Sequence, residues 1–264
     1  MDTRERTYMF GGWSQSPQRA PLPSFTTMMY GMVTNLAGLT TGTEERPGWS
    51  PARTKAPRHD DYTGPVLWTY GGGLCAPDSR PASSGEIEAI VAATTAGGWD
   101  GVDFDDECHM DIGRVIEAMA LLKGQGKQTS YTFIGGYSYN SPQSSAGAVL
   151  NDKVRRVIAS GYCDRLVHMC YGSSMWSSAD IERHVRQALE RSLAHGARPA
   201  SIVLALTSRG LIDANLAYFL DQVTTLGIGG LFVWAYERLE EHHLEMILRT
   251  LDIGGRPRDG SFAG

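Results

Sequence analysis

No stretch of this 264-residue chain approaches the roughly 20 apolar residues that span a bilayer, so no membrane partner is expected. Long Lys/Arg runs are also missing, and the formal net charge is −5 with a pI near 5.8. Electrostatics therefore give no reason to expect nucleic acid or an anionic surface as partner. The four cysteines, Cys75, Cys108, Cys163 and Cys170, form no C-x-x-C pair and no zinc-ligand spacing. They are read as mostly free thiols, with a disulfide left open, and no metal is expected. The opening MDTRERTYMF lacks the apolar core of a signal peptide. The expectation is a chain not secreted by that route, or one written without its leader, and the compartment stays open. The glycine triplet at 71–73 is not followed by the Lys-Ser/Thr of a phosphate loop, so no nucleotide site is expected. Neither an internal repeat nor a low-complexity linker divides the chain, and residues 1–264 are read as a single domain.

What the sequence does have is a run of short β-rich segments. Eight occur, at 7–12, 25–33, 65–72, 100–105, 128–136, 165–171, 201–206 and 229–235. Helical periodicity follows most of the later ones, at about 85–96, 112–123, 148–159, 179–194, 213–226 and 239–251. Strands that alternate with helices and are apolar on both faces point to a parallel sheet. Eight such units fit a (β/α)8 TIM barrel in the α/β class. The first βα units read as irregular: 14–24 is short and proline-containing, and 36–64 shows no clean period. That second segment is expected to be a long loop over one mouth of the barrel, or equally a disordered excursion, and the tail GGRPRDGSFAG to be poorly ordered.

The fourth run ends in an unusual place for carboxylates, GGWDGVDFDDECHMD at 97–111. Side chains alternate across a strand, so Asp103, Asp105 and Glu107 share one face while Val102 and Phe104 share the other. In a barrel the apolar face meets the helices, and the acidic face points inward near the C-terminal end, where barrel active sites lie. Carboxylates held together out of water cannot all ionise, so at least one should carry a raised pKa, as a general acid needs. The competing readings are a solvated acidic turn and a cation site, but neither calls for period-two spacing inside an apolar strand.

The residues Asp100, Asp103, Asp105 and Glu107 resemble the D-x-x-D-x-D-x-E signature of glycoside hydrolase family 18, the chitinases and endo-β-N-acetylglucosaminidases. LWTYGGG at 67–73 looks like that family's glycine-rich third strand, HMCYG at 168–172 like its sixth-strand Met-x-Tyr, and GGLFVWA at 229–235 like its last strand with a tryptophan. The Asp106–Glu107 pair, where many chitinases have Trp before Glu, looks more like the compact endo-β-N-acetylglucosaminidases.

The resemblance implies cleavage of β-1,4-linked N-acetylglucosamine, in chitin-type oligosaccharides or the chitobiose core of N-glycans, with retention and without any cofactor. It implies that Glu107 is the acid/base, that Asp105 orients the substrate's acetamido group, and that Asp103 shares a proton with Asp105. Asp100 would fix the strand–loop structure. Tyr171 would hydrogen-bond the acetamido carbonyl, although Gly172 follows it where many chitinases have Asp or Asn. Trp234 would floor the sugar, with Gly71 and Gly72 letting backbone approach it. An ordinary retaining pair flanks the sugar about 5–5.5 Å apart. Asp105 and Glu107 lie on one side of it, which suits attack by the substrate's own acetamido oxygen.

Further candidates are Tyr137, Tyr139 and Asn140 as groove lining, and Trp13 and Trp176 as platforms for outer sugars; each is equally compatible with packing alone. Cys108 and His109 beside Glu107 have no second ligand cluster, and His242–His243 reads as a solvated helix face. The alternative function is a catalytically inactive, chitinase-like glycan-binding or storage protein. A barrel enzyme holding Mg²⁺ on its acids is a third reading, separable by chelator sensitivity.

Overall fold

The computed structural model describes residues 7–32, 34–44, 54–73, 81, 83–207 and 209–253. Eight strands close into one parallel barrel in sequence order. They are β1 (Met9–Ser14), β2 (Thr27–Gly31), β3 (Val66–Gly71), β4 (Gly101–Asp105), β5 (Gln128–Ile134), β6 (Arg165–Met169), β7 (Ile202–Leu206) and β8 (Gly230–Trp234). Each coincides with an expected β-rich run, and the fold is the (β/α)8 barrel that their alternation with helices implies. The helices are α1 (Leu36–Thr41), α2 (Ser84–Ala96), α3 (Ile112–Gly124), α4 (Tyr137–Asn140), α5 (Ser145–Ser160), α6 (Ser178–Ala194), α7 (Asp213–Leu226) and α8 (Glu241–Leu251). No helix among the described residues is long and apolar enough to cross a membrane.

Two apolar layers follow from strand alternation. Val102 and Phe104 join Tyr70, Tyr131 and Phe133 in the shell beneath the helices. The barrel interior is a separate cluster built on Trp13, Met29, Leu67, Val167, Val203 and Phe232. The helices start where their caps dictate: Ser83 and Ser177 form reciprocal capping boxes with Glu86 and Asp180.

The first third departs from expectation in one respect. Residues 36–41 are helical, because the Asn35 side chain accepts from the Ala37 and Gly38 amides and Gly42 closes the helix at φ 73°. Six residues are too few to show a period. Residues 45–53 lie outside the described residues, as do Cys75 and the tail. The remainder of the segment packs at the N-terminal mouth, away from the acidic end: the Ala56 amide donates to Gly97 O, and Arg58 pairs with Asp100 at 3.1 Å. The Asp100 carboxylate also accepts the Val66 amide at 2.8 Å, stitching the starts of β3 and β4 together.

Candidate active site

The parity of β4 sends Asp103 and Asp105 into the barrel, stacked along its axis, with Glu107 just beyond the strand end. Asp103 is fully buried. Its carboxylate accepts from Thr132 Oγ1 at 2.7 Å, Thr69 Oγ1 at 3.1 Å and the Trp13 indole at 3.3 Å. Thr69 and Thr132 belong to the strands on either side of β4, at inward positions where an apolar residue would normally sit. Burial pushes the Asp103 carboxyl up to about 6, against the lowering effect of these three donors.

Asp105 is held well above the usual carboxylate range, first by burial and then by the negative charges of Glu107, Asp103 and Asp106. Its Oδ1 is buried with no hydrogen-bond partner among the described residues. Half-buried Glu107 is also raised, by loss of solvent. All three carboxyls of the column are thus raised, and protonating one lowers the cost of ionising its neighbours. Burial, with Asp105 and Glu107 adding their charge, keeps the Tyr171 hydroxyl protonated and therefore able to donate.

Two pockets meet at Glu107. One, of about 300 Å³, is lined by Asp105, Glu107, Tyr171, Trp234, Trp13 and Gly72 among others. The second, of about 270 Å³, lies on the other side of Glu107 and is lined by Tyr137, His109, Val149 and Leu150 with Asp106 and Lys153. Gly71 serves the site indirectly. A Cβ there would stand 2.2 Å from Asp105 O, and its φ is +91°, so glycine is what allows β3 to press against the end of β4.

Several sequence expectations are revised by this geometry. Tyr139 does not line a groove: it is fully buried, its hydroxyl paired with Ser192 Oγ at 2.8 Å and its ring edge-on to Phe133. The short α4 turns it inward while leaving Tyr137 exposed at the second pocket. Asn140 likewise bonds His184. Trp13 is no outer platform, because only 4% of it is exposed and its indole N–H points at Asp103. Trp176 is exposed but lines neither pocket, and the Arg209 guanidinium covers its ring at 3.8 Å. Cys163 and Cys170 are free, but Cys108 is disulfide-bonded. The sequence left a disulfide open, and its spacing carries no trace of which cysteine would form one.

Nothing in the sequence signals what Asp106 does. Its side chain turns outward, into the shell, and forms a buried ion pair with Lys153 at 2.8 Å. The same carboxylate accepts the Tyr131 hydroxyl and the Met110 amide, both at 2.7 Å. It thereby anchors the turn that carries Glu107.

Asp103 has a consequence for stability. Its folded-state pKa lies above its unfolded value, so the native state binds the proton more tightly. The contribution is complete below about pH 4 and disappears as pH rises through about 6, a change of about 3 kcal/mol. Urea unfolding should therefore show wild type losing stability relative to Asp103→Asn between pH 4 and 7. A difference that stays constant across that range would mean the carboxyl is not raised.

No family model and no curated protein matches the chain. Solved structures do. The catalytic domain of a hyperthermophilic chitinase from Pyrococcus furiosus superposes with a TM-score of 0.60 at 13% identity, covering 96% of this chain and 98% of that one. A chitinase from Chromobacterium violaceum gives 0.61 at 13% identity, covering 92% and 99%. A fungal endo-β-N-acetylglucosaminidase from glycosyl hydrolase family 18 gives 0.58 at 15% identity, covering 93% and 98%. At these identities the likeness establishes the barrel: this chain has the fold of the family 18 hydrolases.

Proposed function

We propose that this protein is a retaining glycoside hydrolase acting on β-1,4-linked N-acetylglucosamine, with the substrate's own acetamido oxygen as nucleophile. The observation that carries this reading is the inward column Asp103–Asp105–Glu107, ending where two pockets meet at Glu107. A sugar seated over Trp234 would have Glu107 at its glycosidic oxygen and the leaving portion in the second pocket. Glu107, raised by desolvation, is protonated more readily than a solvated glutamate and donates to that oxygen, then takes a proton from water in the second step. Asp105 Oδ1, buried with no hydrogen-bond partner among the described residues, accepts the acetamido N–H and stabilises the cationic oxazolinium-like intermediate. Asp103 holds the shared proton below it, and Tyr171 donates to the acetamido oxygen. Both Asp105 and Glu107 project from the end of one strand, so neither faces the other across a sugar as a conventional nucleophile–acid pair must.

The neighbours' activities support the substrate class, chitin-type oligosaccharides or the N-glycan chitobiose core. Gly172, which puts no polar side chain beside Tyr171, favours the second reading, a glycan-binding protein without turnover. Mass-spectrometric product analysis with N-acetylchitooligosaccharides and with a high-mannose glycoprotein separates the two. Cleavage of either, unaffected by chelator and with the β anomer released first, is the expected result; binding without cleavage would leave the second reading in place.

A further inference from the structure

The sequence reads His242–His243 as a solvated helix face, and the structure bears this out for His242 alone. His243 is buried, and both imidazoles turn towards the first residue of α7. His242 Nε2 lies 3.1 Å and His243 Nε2 3.2 Å from the same oxygen, Asp213 Oδ1. We propose that Asp213, His242 and His243 form a binding site for a divalent transition-metal ion of the zinc class, linking the start of α7 to the start of α8.

Geometry and chemistry both support the assignment. Ligands about 2.0–2.1 Å from a tetrahedral zinc stand about 3.3 Å from one another, close to the two separations observed. All three ligand atoms lie within 4.8 Å of each other, within reach of a single ion after side-chain adjustment. Two imidazoles and a carboxylate are a common zinc donor set, and three protein ligands leave a position for water.

The surroundings of His242 add an independent feature. Its other ring nitrogen, Nδ1, faces Glu240 Oε2 at 3.6 Å. Carboxylates in that position orient metal-bound histidines. The imidazole centroids are only 3.9 Å apart, and both Nε2 atoms converge on the one carboxylate oxygen. The site stands apart from the carboxylate column and does not depend on the hydrolase reading.

The test uses full-length, tag-free protein stripped with chelator and titrated with zinc chloride by calorimetry, with melting temperature followed in parallel. One equivalent should bind at micromolar concentration or below and raise the melting temperature. His242→Ala and Asp213→Asn, both at exposed side chains, should fold normally and weaken binding by about tenfold or more. Absence of saturable binding, or equal binding by both variants, would overturn the proposal. The second outcome would place the ion elsewhere.

Discussion

Glu107→Gln should cut glycoside cleavage by orders of magnitude while leaving the folded protein and its glycan affinity intact. The substitution keeps the side chain's shape and removes its transferable proton, the one contribution the proposed mechanism cannot replace. General acid–base catalysis of this kind is worth about 10²–10⁴ in rate, so kcat should fall by that factor with KM little changed. Steady-state kinetics on a chitooligosaccharide measures it. An aryl glycoside with an acidic phenol as leaving group sharpens the result, because such a phenol departs without protonation. The variant should lose much less of its first-step rate on that substrate. An equal loss on both substrates would argue against proton donation by Glu107.

The largest stability effect is expected at Lys153→Met. The ammonium lies 2.8 Å from Asp106, with only 11% and 2% of the two side chains exposed. Taking away one partner of a buried pair leaves a charge without its counterion and costs about 3–5 kcal/mol, whereas replacing both is much less damaging. Urea denaturation should show that loss in the single variant and substantial recovery in the double variant Lys153→Met/Asp106→Asn, whose introduced carboxamide still offers an oxygen to the Met110 amide. Failure of the double variant to recover would mean that Lys153 acts chiefly through packing of its methylene stem. Because Asp106 also anchors the turn bearing Glu107, the single variant should lose catalytic rate even under conditions where it is folded.

The barrel could be read from sequence because its strands are buried on both faces and its later helices are amphipathic, so each element carries its own periodic mark. Asp103, Asp105 and Glu107 were legible for the same reason: three acids at period two in an apolar strand have no simpler explanation. Features that depend on neighbouring strands were not legible in this way. Thr69 and Thr132 reach Asp103 from β3 and β5, and only their inward parity could have singled them out. The outward turn of Asp106 to Lys153 joins β4 to α5, and the two histidines meet Asp213 across two helices. Tyr139 misled because a four-residue helix reverses facing within two residues, leaving no period to read.

Trp13 sets the order in which this site can come into being. It sits on the first strand, donates to an acid on the fourth, and is paired in register with Trp234 on the last. During synthesis at roughly 5–20 residues per second, β1 waits on the order of ten seconds or more for its β8 partner to emerge. Until then one edge of the sheet is unpaired, and Asp103 lacks the enclosure that raises its pKa. A nascent or C-terminally shortened chain would carry every acid of the signature and still lack the environment that makes them useful. Closure of the ring is therefore the assembly step that completes the surroundings of the carboxylate column.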